Sequence, residues 1–162
     1  MSGGQQTVAV HRVKEMTADP VLLPKTQAAQ ILVVGCDDWA IGEAARQLGR
    51  AGRTVHRCSD TAETPFPCNA LVPGRGCPLD RHDVDVVLVV RERPHAGPGP
   101  GDMGAICGLR DGRPLVMAGM SEASGLGEHA TRVPPGGDLT ATCDRAVAQA
   151  SAQSPLWDRD PR

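Results

Sequence analysis

The sequence predicts an α/β fold: a three-layer, doubly wound parallel sheet of about five strands in the order 2-1-3-4-5. Three observations predict it. Short, nearly continuous aliphatic and β-branched runs recur along the chain, as in strands buried on both faces. Segments with apolar residues at helical spacing lie between them. Strand and helix alternate about five times, and right-handed crossovers then place helices on both sides of one sheet.

Ile31-Leu32-Val33-Val34 is the first clear strand. Gly35 to Asp38 form a turn in which either Asp can accept hydrogen bonds from the free N–H groups of a helix start. Ile41, Ala44, Ala45 and Leu48 recur at helical spacing, with Glu43, Arg46, Gln47 and Arg50 opposite. Gly52 sits where a left-handed helix cap belongs, and Thr54 to Arg57 form the second strand. The stretch 59–83 carries Pro65, Pro67, Pro73 and Pro78 with Gly74 and Gly76. Little of it can be regular helix beyond a short turn near Asn69 to Val72. So long a connection in a compact domain is often functional or mobile.

Val84 to Val90 is the third strand. Beyond a Pro/Gly loop, Asp102 is placed to cap a short helix whose Met103, Ile106 and Cys107 face inward. Leu115 to Ala118 is the fourth strand, 121–129 a loop or poor helix, and Thr131 to Val133 a short fifth strand. Asp138 caps a last helix bearing Leu139, Thr142, Cys143, Ala146, Val147 and Ala150 on one face. The expected organisation is a flexible arm over 1–29, one domain over 30–150 and a tail over 151–162.

The 162 residues have a net charge of −2 and no basic patch, which argues against a backbone-driven nucleic-acid binder. No apolar run reaches the roughly 18–20 residues that a membrane helix needs. The polar first residues show no signal-peptide core. A cytoplasmic protein is expected, with no membrane and no nucleic-acid partner. Its cysteines would then be mostly reduced.

The segment ILVVGCDDWAIGEAARQLGRAGRTVHRCSD resembles the first strand, helix and second strand of a bacterial response-regulator receiver domain, a flavodoxin-like fold. DVDVVLVVRERP looks like the third strand of that family with its following Pro, and PLVMAG like the fourth. The likeness spans residues 30–150. It implies an acidic pair after strand one for Mg²⁺, a phosphoacceptor Asp at the tip of strand three, a hydroxyl residue after strand four and a Lys after strand five. Alignment on Pro94 puts Val90 at the phosphoacceptor position, and Gly119 at the hydroxyl position with Ser121 nearby. No Lys follows Lys25. Without a gap, Gly35 and Cys36 replace the acidic pair; with a one-residue insertion, Asp37 and Asp38 restore it. The resemblance therefore implies a degenerate, pseudo-receiver domain that is not phosphorylated on Asp. A dinucleotide-binding fold is the other comparison. Gly35 and Gly42 have the wrong spacing for its Gly-rich turn, and Asp37 and Asp38 would repel a pyrophosphate.

In a doubly wound sheet ligands bind beyond the carboxyl ends of the strands. Asp37, Asp38, Arg91, Arg93 and His95 fall there and are candidate ligand- or partner-binding residues; Arg91, Arg93 and His95 form a candidate anion site. Cys58, Cys68 and Cys77 lie in or beside the Pro/Gly stretch, and Cys36 ends strand one. These four thiols are the candidates for Zn²⁺, an iron–sulfur cluster or a redox disulfide. Their spacing matches no common metal knuckle, so plain packing stands beside that reading, as it does for Cys107 and Cys143. No catalytic set is assignable, and the cofactor is open: none is expected, with Zn²⁺ or an iron–sulfur cluster as the alternative. Two functions follow as expectations. One is a non-enzymatic regulatory or protein-interaction domain with a protein partner or a second copy of itself. The other is a thiol-based metal or redox protein. A nucleotide-binding enzyme is a third reading.

Overall fold

The computed structural model describes residues 28–58, 68–92, 102–119 and 125–153. Five parallel strands form one sheet: β1 (Gln30–Gly35), β2 (Thr54–Arg57), β3 (Val86–Arg91), β4 (Leu115–Gly119) and β5 (Ala130–Arg132). Their order is β2-β1-β3-β4-β5, as the sequence predicts. Register pairs Val33 with Leu88 and Gly35 with Val90, and continues from Val90 to Ala118. Four helices flank the sheet: α1 (Asp38–Arg50), α2 (Pro78–Arg81), α3 (Asp102–Arg110) and α4 (Leu139–Gln153). Short 3-10 helices at Asn69–Leu71 and Gly125–His129 fill connections.

Alternation along the strands builds two cores. Ile31, Val33, Leu88, Val90 and Val116 pack under α1 and α4, against Ile41, Leu48, Leu139 and Cys143. Leu32, Val34, Val87, Val89 and Met117 pack on the opposite side with Ala105 of α3 and Leu126. Each such Val or Leu contributes about 1.5–3 kcal/mol by leaving water. Among the described residues no helix is long and apolar enough to cross a membrane.

Caps set the element ends. The Asp37 carboxylate accepts from the backbone N–H of Ala40 at 2.9 Å, which starts α1. At its other end the N–H of Arg53 reaches the carbonyl of Leu48, and that of Gly52 the carbonyl of Gly49. Gly52 (φ +75°) makes this left-handed close without strain. Asp138 starts α4 by accepting from the N–H of Ala141 at 3.0 Å. Arg53 grips Asp144 of α4 through two parallel hydrogen bonds of 2.9 and 2.5 Å, tying the turn before β2 to that helix.

The described part of 59–83 carries little regular helix, as expected: the turn at Asn69–Leu71 and α2, one turn begun by Pro78 at a position where its missing N–H costs nothing. Two expectations need correction. Met103 and Ile106 do not face the core; they are 48% and 43% exposed. The inward face of α3 is Gly104, Ala105 and Gly108, because bare glycines let the helix settle directly on Val34 and Val87. Asp102 is the first residue of α3, almost fully buried, and its carboxylate pairs with a side chain of the sheet. The expected arm and tail lie outside the described residues, save that Ala29 already packs on the sheet and α4 runs on to Gln153.

Candidate functional site

The carboxyl ends of β1, β3 and β4 meet at one edge. β1 delivers Gly35, whose absent side chain matters: a Cβ there would lie 2.5 Å from the carbonyl oxygen of Val90. No carboxylate fits at this position. Cys36 follows, half-buried, and Asp37 has its carboxylate engaged in the cap of α1. Asp38 is exposed in the first helical turn.

β3 ends on Val90 and Arg91. Val90 belongs to the core under α1 and α4. Alternation turns Arg91 to the other face, where its Nη2 donates to the Asp102 carboxylate. Both side chains are almost wholly out of water, at 3% and 1% exposure. Their charges compensate one another, and the carboxylate also lies at the positive end of α3. Arg91 was expected to offer its charge to an anion at the open edge; instead it is a buried partner of Asp102. Arg93 and His95 lie outside the described residues, as does Ser121.

β4 delivers Gly119 at φ +90°, with its Cβ position 1.8 Å from the carbonyl oxygen of Arg91. A Ser or Thr would clash with the backbone and strain its own. The tip of the sheet therefore holds two glycines and a valine, with no room for a larger side chain at either glycine. Beside it, between α1 and α4, runs a groove of about 450 Å³ whose floor includes Val90, Ala118 and Leu139. Trp39 stands on its rim, 66% exposed, with Glu43 and Gln47 one and two turns further along α1. The lone Trp in an otherwise helical pattern was the available sequence signal for this groove.

Cys58 closes β2, half-buried under α3, where a Cβ on Gly104 would come 3.1 Å from its Sγ. Cys68, Cys77 and Cys107 all lie within electrostatic reach of it. Burial pushes the Cys58 thiol up to about 12, with those neighbouring thiols adding to the effect. Cys107 of α3 thus joins Cys68 and Cys77 among the thiols that act electrostatically on Cys58. Among the described residues no three His, Cys, Asp or Glu side chains are arranged to hold a metal ion. A thiol held protonated by burial is also a poor ligand and nucleophile. Cys143 is packed in the core and likewise pushed up to about 12 by burial.

No family model and no curated protein matches the chain. Solved structures do. A chain carrying the yeast Spc42 trimeric coiled coil (amino acids 181–211) fused to another structure is 15% identical, with a TM-score of 0.50 over 84% of this chain and 89% of that one. The Vibrio vulnificus NanR protein complexed with ManNAc-6P is 17% identical, with a TM-score of 0.41 over 82% of this chain and 52% of that one. At such identities the likeness is one of fold alone, and the fold it supports is the five-stranded, all-parallel α/β sheet of flavodoxin-like order.

Proposed function

We propose that this is a non-enzymatic regulatory or protein-interaction domain of pseudo-receiver type, not phosphorylated on Asp. One observation carries the reading. The strand tips that would accept and hold a phosphoryl group are Gly35, Val90 and Gly119, packed so closely that polar side chains do not fit at the two glycines. The first charged residue of the tip, Arg91, is occupied by Asp102. What the edge offers instead is the groove beside Trp39, and a protruding indole above aliphatic residues suits a protein partner or a second copy.

Treatment of the full chain with acetyl phosphate and Mg²⁺, followed by intact-mass measurement, tests the first part. No hydroxylamine-sensitive phosphoryl adduct is expected; one on Asp would overturn the reading. Trp39→Ala tests the second by sedimentation of the protein alone and with a bound partner. Association unchanged by the substitution would exclude this groove.

A second reading, a thiol-based redox or metal protein, rests on Cys58, Cys68 and Cys77 lying in or beside one Pro/Gly stretch of the sequence. Free-thiol counts after mild oxidation, with elemental analysis of the purified protein, test it. A metal-free protein that keeps every thiol free would exclude it.

A further inference from the structure

Cys58 follows β2 directly, and the chain returns to it at Cys68. Two hydrogen bonds hold the return in place. Asn69 donates its backbone N–H to the carbonyl of Cys58 at 2.9 Å and its side-chain Nδ2 to the carbonyl of Arg57 at 3.4 Å. The Asn69 N–H belongs to the peptide unit that begins at Cys68, and the carbonyl it meets belongs to the unit that begins at Cys58. Two peptide units bonded in this way keep the Cα atoms at which they begin about 5–6 Å apart. A disulfide requires Cα atoms about 4.4–6.8 Å apart. The main chain around Cys58 and Cys68 is therefore already spaced for a bridge.

Local structure keeps Cys68 at this spacing. The N–H of Leu71 donates to the carbonyl of Cys68 at 2.8 Å, and that of Val72 to the carbonyl of Asn69 at 3.2 Å, which closes the 3-10 turn.

Both thiols are half-buried. The Cys58 side chain has room beneath α3 because Gly104 is bare. Burial, and after it Cys68 ahead of Cys77 and Cys107, pushes the Cys58 thiol up to about 12. Electrostatic influence falls with separation, and Cys68 leads the three neighbouring thiols. Cys77 precedes α2 and Cys107 lies within α3. Among the described residues neither has the peptide unit that follows it bonded to Cys58.

We infer that Cys58 and Cys68 are a disulfide-forming pair, closed by exchange with a small disulfide of the glutathione class and reopened by the corresponding thiol. The inference rests on the thiol reading above and narrows it to one bond. In the first step the Cys68 thiolate attacks one sulfur of oxidised glutathione. That S–S bond breaks, a mixed disulfide forms on Cys68, and one glutathione thiolate leaves and takes up a proton. In the second step Cys58 gives its proton to solvent and attacks the Cys68 sulfur. The internal S–S bond forms and the second glutathione leaves as a thiol. Two protein thiols are oxidised and one glutathione disulfide is reduced to two thiols. Burial makes the second step the slow one, since little of Cys58 is ionised, and the fixed proximity of Cys68 works in its favour. The bond makes the Asn69 pin permanent and fastens the 3-10 turn to the end of β2.

Incubation of the full, folded chain with oxidised glutathione between about pH 7 and 9 tests this, read by intact mass and by non-reducing peptide mapping. A glutathione adduct on Cys68 appears first and gives way to a chain lighter by two hydrogens, with the Cys58 and Cys68 peptides linked. Closure quickens about tenfold per pH unit, as a thiol titrating at about 12 requires. The bridged chain unfolds at a higher urea concentration than the reduced one. Cys68→Ser abolishes the link, Cys58→Ala halts the reaction at the adduct, and Cys77→Ser and Cys107→Ser leave it unchanged. Circular dichroism verifies that each variant is folded. A link between any other two cysteines overturns this pairing and leaves the thiol reading standing. A chain that keeps every thiol free overturns both. An adduct on Cys68 that never closes, or a bridged chain less stable than the reduced one, also overturns the pairing.

Discussion

Replacing Gly108 with Ala and Gly49 with Ala makes the same chemical change in two helices, and the structure gives the two opposite signs. An Ala in place of Gly favours a helix interior by about 0.5–1 kcal/mol. At Gly49, near the end of α1, the new methyl meets nothing within 4 Å, so that gain stands alone. At Gly108 the methyl would lie 2.4 Å from Cγ2 and 3.3 Å from Cβ of Val87. Carbon atoms pack at about 3.5–4.0 Å, so α3 must retreat by roughly 1 Å. Val87 is fully buried in the central strand and β-branched, so it cannot swing aside. Overpacking of this kind costs about 1–3 kcal/mol. The net for Gly108→Ala is a loss of about 1–2 kcal/mol, against a gain for Gly49→Ala. Urea unfolding followed by far-ultraviolet circular dichroism measures both, with an unchanged slope showing that only stability has moved. Gly108→Ala with a midpoint at or above that of the unmodified protein would refute the close seating of α3.

Asp102→Asn leaves the Arg91 guanidinium buried beside a neutral group and costs about 3–5 kcal/mol, whereas Arg91→Leu with Asp102→Leu recovers most of that stability; a double-mutant cycle in urea measures it. Asp144→Asn breaks the part-exposed Arg53 pair and costs about 0.2–1 kcal/mol, less at high salt. Burial, assisted by the charge of His82, lowers the proton affinity of His56 below the ordinary imidazole value of 6.5. The unfolded chain then binds that proton more readily, so stability is intact above pH 6.5 and declines as pH falls below it toward the folded value. His56→Gln should flatten this part of the pH–stability curve. Cys58 and Cys143, pushed up to about 12 by burial, resist iodoacetamide near pH 8 in the folded protein and react in denaturant, which peptide mapping reads directly.

The sheet was legible because its strands are buried on both faces. Runs such as Val86 to Val90 have no polar residue to mislead, and alternation with helices then fixes the order. Asp37, Gly52 and Asp138 announce helix ends through local chemistry, and all three act as read. The face of α3 was not legible. Apolar periodicity points to Met103 and Ile106, whereas contact distance, which favours Gly104 and Gly108, leaves no hydrophobic mark in a sequence. Arg91 was equally opaque. Its charge reads as a ligand group at the sheet edge until Asp102, beyond a Pro/Gly loop, is brought against it. At the cysteines, the influence of Cys107 on Cys58 across α3 is invisible from spacing alone.

β1 is bracketed by β2 on one flank and β3 on the other, yet β3 comes more than fifty residues after β1. As the chain leaves the ribosome, β1, α1 and β2 can associate early, leaving one rim of Ile31 to Val34 with unpaired amide and carbonyl groups. Only the arrival of Val86 to Arg91 seals it. Folding is therefore paced by a distant pairing, in the slower class of topologies, and the half-made chain presents an adhesive aliphatic border until then.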